Sequence, residues 1–222
     1  MQKQDIKLLT DGKQAFPEVI NCIENANKSI HINMFIWRND DIGRKIAAAI
    51  LDAASRGVSV NISVDKYGAI LEKCEESKRS MFHKRLKHIE WLKARGLELL
   101  YPTPNTSLAK RDDYDELYNA LMTHPNINIE KDVFKADHSK FYIFDDEILI
   151  MGGINIEDKE NGADMHGRVY QDYMVKLVGK QYVDALREKL NTGRDILEKI
   201  RFGINVKAPY TKRFEMREKY IE

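Results

Sequence analysis

The chain has 222 residues, 36 of them Lys or Arg and 35 Asp or Glu, giving a formal net charge of +1. That length suits one well-filled core, and 43% hydrophobic with 32% charged residues is the balance of an ordinary soluble globular protein. Near-neutrality excludes a global field drawing the molecule to nucleic acid or to an anionic membrane, so any recognition of phosphate must come from local clustering.

The opening MQKQDIKLLTDGK has no apolar stretch of signal-peptide length. Nowhere does the sequence approach the ~20 apolar residues of a membrane span. Cys22 and Cys74 are too few for a disulfide framework and lack metal-site spacing. A cytoplasmic location follows as the expectation, with peripheral contact at a membrane left open.

In chain order, Ile6 to Leu9 reads as a short strand and Asp11-Gly12 as a turn. Ala15, Phe16, Val19, Ile20, Ile23 and Ala26 recur with helical period. Ser29 to Trp37 alternates as a strand with Ile30, Ile32, Met34 and Ile36 on one face. Asn39-Asp40-Asp41 offers the N-cap of a helix through Arg56, with Gly57 closing it. Val58 to Asp65 is the next strand, followed by a long polar helix over Cys74 to Arg95 and a strand at Leu97 to Leu100. Between 102 and 137 the pattern loosens into an expected insertion or lid. It includes a helical piece with Tyr114, Leu117, Tyr118, Leu121 and Met122 on one face, and packing against its own core is the favoured role of that stripe. A hairpin follows, Phe141 to Phe144 and Ile148 to Met151, joined by Asp145-Asp146-Glu147. A polar loop (157–165), the strand VYQDYMVKLVG and the helix QYVDALREKLN lead to a charged tail at 205–222. This alternation predicts one α/β domain over 1–222 with a mixed sheet flanked by helices on both faces.

The hairpin carries the chemistry. Positions two apart in a strand share a face, so His138 and Lys140 project together, and the return strand brings Gly152-Gly153-Ile154-Asn155 alongside. Glycines let backbone approach a bound group, and Asn155 adds an amide donor. An imidazole, an ammonium and a carboxamide suit a phosphate: Lys140 and Asn155 hold its oxygens while neutral His138 attacks phosphorus.

His138, Lys140, Asp145, Gly152, Gly153 and Asn155 stand in the spacing H-x-K-x4-D-x6-G-(G/S)-x-N. The pattern resembles the phospholipase D superfamily. The stretch from Thr10 to Ala69 and the segment after the motif look like the first catalytic half of bacterial cardiolipin synthases. The resemblance implies a phosphodiesterase or phosphatidyltransferase acting on phospholipids through a phosphohistidine, with no cofactor and no metal. It implies His138 as nucleophile or its acid partner, and Lys140, Asn155 and Gly153 at the phosphate. It implies Asp145 and Gly152 as structural, and Asp172 as the acid that meets the histidine of an opposite motif. Two histidines serve the family's mechanism, yet none of His31, His83, His88, His124 and His166 has a lysine two residues on. The resemblance therefore implies a homodimer sharing one composite site. The alternatives are a homodimeric endonuclease on DNA or RNA, mildly disfavoured by the charge and by Gly152-Gly153, and a non-catalytic phosphate-binding half.

Three other features have blander readings. The basic cluster from Ser77 to Trp91 suits lipid headgroups or a nucleic-acid backbone, and equally a solvated helix face. His166 falls in the loop before the Asp172 strand, where a plain loop position is favoured over an approach to the site. Asp40, Asp41 and Asp65 are explained by helix capping and strand termination without a metal.

Overall fold

The computed structural model describes residues 6–68, 70, 80–83, 116–132, 137–162 and 171–202, with side chains described as far as residue 191. The elements are β1 (Ile6–Thr10), α1 (Asp11–Asn25), β2 (Ser29–Met34), α2 (Asp41–Ser55), β3 (Ser59–Val64), α3 (Glu116–Thr123), β4 (Ile127–Glu130), β5 (Lys140–Phe144), β6 (Ile148–Gly152), a 3-10 turn (Asp158–Asn161), β7 (Tyr173–Val178) and α4 (Lys180–Phe202). The chain divides into two compact units, Met1–Tyr182 and Val183–Glu222. The first holds the sheet and everything discussed below. The described part of the second continues α4.

Seven strands form one mixed sheet in the order β1-β7-β6-β5-β2-β3-β4. The pairs β2–β3 and β3–β4 are parallel, and the other four are antiparallel. Alternation sorts the side chains. Ile30, Ile32 and Met34 of β2 join Val60, Ile62 and Val64 of β3 and Tyr142 and Phe144 of β5 in the main core. The apolar stripes of α1 (Ala15, Phe16, Val19, Cys22, Ile23) and α2 (Ile42, Ile46, Ala47, Ile50, Ala53, Ala54) complete it. Phe141, Ile143 and Leu149 point the other way and are buried too, so the middle of the sheet is covered on both sides.

Several expectations change. Asp11-Gly12 is the first turn of α1 rather than a free turn, and a Cβ at Gly12 would lie 2.4 Å from the Glu160 carbonyl oxygen. Within 102–137, the described residues 116–132 supply α3 and the edge strand β4, so this portion is part of the sheet rather than a lid. Leu121 is fully buried, with Leu117 and Met122 packed around the core, as the stripe favoured. The long polar helix does not run through residues 80–83. There the Met81 N–H donates to the Trp37 carbonyl (2.8 Å), and the Phe82 ring meets Trp37 edge-on at 5.1 Å. Burying Met81 and Phe82 outweighs the helical propensity of the flanking lysines and glutamates. The rest of that helix, the strand at Leu97 to Leu100, Tyr114, His166 and the tail at 205–222 lie outside the described residues. No helix among the described residues is long and apolar enough to cross a membrane.

Candidate active site

The strand directions gather one functional edge. The C-terminal ends of β1, β6, β2 and β3 share it with the start of β5 and β7, and α1 leaves β1 there directly. The N-terminus of α2 is tied to the loop after β6 by paired carboxylates. Asp40 accepts from Gly43 N–H (3.0 Å) and Asp158 N–H (2.7 Å), while Asp158 accepts from Ile42 N–H (2.8 Å) and Asp41 N–H (3.2 Å). Asp40 thus caps the helix as its sequence position predicts. Burial pushes its carboxyl up to about 6, against the pull of those two N–H donors. Beside it the buried Arg38 guanidinium is paired with Glu157.

Lys140 opens β5 on the core-facing side and is only 2% exposed. Its ammonium lies 3.0 Å from His138 Nδ1 and 3.3 Å from Nε2, and donates to the His138 carbonyl at 2.7 Å. The imidazole packs on Phe35, with ring centroids 4.6 Å apart and planes tilted by 56°. The Lys140 ammonium is itself 5.4 Å from the centre of the Phe35 ring. Burial first, then the Lys140 charge, pushes the His138 pKa below its ordinary value, with Asp137 and Asp172 opposing. Burial also lowers Lys140, against the carboxylates of Asp172, Asp137, Glu160 and Glu157. The imidazole is therefore neutral at neutral pH, the form in which it is a nucleophile.

Asn155 follows where the chain beyond β2 changes partner. The β2–β5 ladder stops at Asn33 and Phe141, after which Trp37 bridges to Ile156. Arg38 N–H donates to the Ile156 carbonyl (2.9 Å) and Ile156 N–H to the Ile36 carbonyl (3.1 Å). In this frame Ile36 N–H donates to Asn155 Oδ1 at 3.3 Å. Because a backbone donor holds the amide oxygen, the Nδ2 group is the one left to face a ligand. Its anchor, Ile36, adjoins the Phe35 that touches His138, which ties Asn155 to the segment that packs on the imidazole.

Asp172 is fixed through its main chain. Asp11, in a left-handed conformation (φ 56), donates its N–H to the Asp172 carbonyl (2.9 Å) and accepts from Asp172 N–H (3.0 Å). The Asp172 carboxylate accepts from Tyr173 N–H (2.7 Å) and rests against Gly153, where a Cβ would lie 2.2 Å from its Oδ1. A Cβ at Gly152 would lie 2.1 Å from the Tyr173 carbonyl oxygen. Gly152 is thus demanded by close approach of backbone, whereas at Gly153 a Cβ would meet a side-chain carboxylate. Asp145 sits at the opposite end of the hairpin. Its carboxylate accepts N–H groups of Asn27 (2.9 Å), Lys28 (2.7 Å) and Ser29 (2.9 Å), so it anchors the loop entering β2 and not only its own turn.

The structure adds residues the sequence reading passed over. Phe35 was simply one more position in an apolar strand. Glu160, in a loop read as polar, is largely buried, and burial with the nearby Glu157 charge pushes its carboxyl up to about 7. Asp65 fits strand termination, but its carboxylate holds Asp137 N–H at 2.7 Å, one residue before His138. Sequence offered no signal for that reach.

Residues 19–192 match the family described as the phospholipase D-like domain of cardiolipin synthase. The chain belongs to that family. It is 28% identical to cardiolipin synthase 1 of Bacillus cereus over 78% of this chain and 28% of the relative. To cardiolipin synthase B of Escherichia coli it is 29% identical over 83% of this chain and 37% of the relative. The chain thus spans about a third of the length of the curated relatives it matches. Among solved structures, NucT from Helicobacter pylori superposes with a TM-score of 0.50 at 16% identity, covering 84% of this chain and 93% of that one. Phosphatidylserine synthase of Haemophilus influenzae superposes with a TM-score of 0.50 at 18% identity, covering 86% of this chain and 37% of that one. At such identities these two report the fold, a mixed α/β sheet of the phospholipase D type.

Proposed function

We propose that this protein is a phosphodiesterase or phosphatidyltransferase acting on phospholipids through a phosphohistidine. The observation that carries the reading is the buried Lys140 ammonium set directly against a neutral imidazole. A buried cation with no carboxylate in ion-pair contact among the described residues favours an anion beside it. In the first step the neutral His138 Nε2 lone pair bonds to phosphorus and the bond to the leaving oxygen breaks, that oxygen taking a proton from a second imidazole, the protonated member of the pair. In the second step an alcohol or water loses its proton to that imidazole, attacks phosphorus, and frees His138. Lys140 and Asn155 hold the non-bridging oxygens, and Gly153, without a side chain, lets the backbone approach them. The second imidazole comes from another copy of His138 across a two-fold axis, with Asp172 orienting it. The cationic demand is met by Lys140, so no metal or cofactor enters.

The lone His-x-Lys pair of this sequence favours one further reading, a homodimeric nuclease with the same chemistry on DNA or RNA. Labelled phosphatidylglycerol, single-stranded DNA and double-stranded DNA offered to the pure protein, with and without chelator, separate the readings. Lipid turnover that survives chelation and disappears in folded His138→Ala supports the first. DNA cleavage alone moves the assignment to the second. Inactivity on all three moves it to a non-catalytic phosphate-binding half. Sedimentation of the active protein as a monomer would remove the two-fold site.

A further inference from the structure

His138 lies outside the sheet's ladder: β5 begins at Lys140, and its pairing with β2 ends at Phe141. Residues 137–139 therefore depend on side chains for their place. Asp65 directly follows β3, which is not a neighbour of β5, since β2 lies between them. Its carboxylate, 3% exposed, reaches past the end of β2 so that Oδ2 accepts Asp137 N–H at 2.7 Å and Oδ1 accepts Tyr67 N–H at 2.8 Å. From the other side, Asn33 Nδ2 donates to the Ser139 carbonyl (3.0 Å), to Ser139 Oγ (3.1 Å) and to Asp137 Oδ2 (3.2 Å). Asp137 Oδ1 accepts Ser139 N–H (2.9 Å) and the Ser139 hydroxyl (2.6 Å). The residues either side of His138 are thereby braced.

Asp65 acts on the imidazole a second way. By holding Tyr67 N–H it fixes the turn containing Gly68, whose α carbon packs so tightly on the Phe35 carbonyl that a Cβ there would lie 1.8 Å from the oxygen. Phe35 is the ring on which His138 rests, and the Tyr67 ring centroid stands 6.2 Å from that of Phe35. One carboxylate therefore sets both the backbone that carries the imidazole and the wall against which it packs.

We propose that Asp65 is a positioning residue for the nucleophile, fixing the His138 imidazole over Lys140 from the end of a non-adjacent strand. The inference rests on the reading of His138 as nucleophile. Chemically it follows from donor and acceptor roles: each Asp65 oxygen accepts a backbone N–H, so Asp65→Asn keeps shape but turns an NH2 donor toward a backbone donor. An imidazole displaced by a fraction of an ångström to an ångström loses attack geometry while Lys140 and Asn155 still bind phosphate, so the loss falls on kcat rather than KM.

The test measures kcat and KM on whichever phosphodiester the wild type turns over, beside the titration of the His138 imidazole by NMR, its signal assigned by absence in His138→Ala. Asp65→Asn is expected to lower kcat by about a hundredfold with KM little changed, and to move the His138 titration toward the ordinary histidine value. Unchanged kcat and unchanged titration in folded Asp65→Asn would overturn the proposal, as would a loss confined to KM. Should Asp65→Asn fail to fold, Asn33→Ala removes the outer half of the bracing and carries the same expectation at smaller size. Unaltered kcat and titration there overturn it equally. Full activity in His138→Ala would sink the nucleophile reading instead, a result distinct from a silent Asp65→Asn.

Discussion

The two ends of the β5–β6 hairpin handle charge in opposite ways. At the turn, Asp145 is a completed anion: three backbone N–H groups from the loop before β2 converge on it. Burial opposes its ionisation, yet those donors hold its pKa below the ordinary carboxylate range. At the mouth, about five residues away along the strand, Lys140 is more deeply buried, and its ammonium rests on an imidazole and a carbonyl. The finished site holds the fold together. The other, under the proposed function, is completed only by a bound phosphate, and its burial detracts from stability without one.

The sharpest way to break this division is to exchange the effects. Lys140→Met should lower turnover by about a thousandfold while leaving the urea midpoint unchanged or raised, because a buried cation is replaced by an apolar chain of similar length. A large drop in stability would mean that Lys140 is structural. Asp145→Ala should do the reverse. It leaves three N–H groups without their acceptor, and since the carboxylate is partly exposed and water replaces some contacts, about 1–3 kcal/mol is expected. Activity per folded molecule should stay near wild type. Because the folded pKa of Asp145 is depressed, the stability it supplies is present at neutral pH and fades as pH falls through that lowered value, so the variant should converge on wild type in acid.

Much of this was legible beforehand. The hairpin, the helix caps at Asp40 and Gly57, and the meeting of His138 with Lys140 follow from period-two alternation and residue chemistry, which are local. What escaped was non-local. The edge strand β4 is four residues with half-exposed side chains, too short for alternation to stand out. Ser80–His83 looks helical by propensity and is held straight by Trp37 and Arg38. Asp65 gains its meaning from residue 137, and nothing in the residues between foretells the meeting.

Two smaller tests refine the contrast in the core-facing layer. Glu160 carries an ordinary carboxyl value of 4.5 unfolded and about 7 folded, so stability is lost as pH rises between them and stays at the lower level above. Asp40 adds a similar loss that ends at about 6. Glu160→Gln should therefore flatten the fall in urea midpoint above about pH 6, and a slope identical to wild type would remove Glu160 as its source. The least effect belongs to Tyr142, fully buried two residues from Lys140 with its hydroxyl lacking a partner among the described residues. Tyr142→Phe should be neutral or stabilising by about 1 kcal/mol, with activity intact. A loss above that size would show that the hydroxyl is bonded in solution.

The two motif glycines differ in what they forbid. A side chain at Gly152 would strike the carbonyl and α carbon of the neighbouring strand, which cannot yield. One at Gly153 would strike only the tip of Asp172, which can swing aside. Substitution at 153 is thus sterically affordable but displaces an acid from beside the reacting groups. Residues 153 and 172 form a single heritable choice: as sequences drift, the size of one and the orientation of the other must change together.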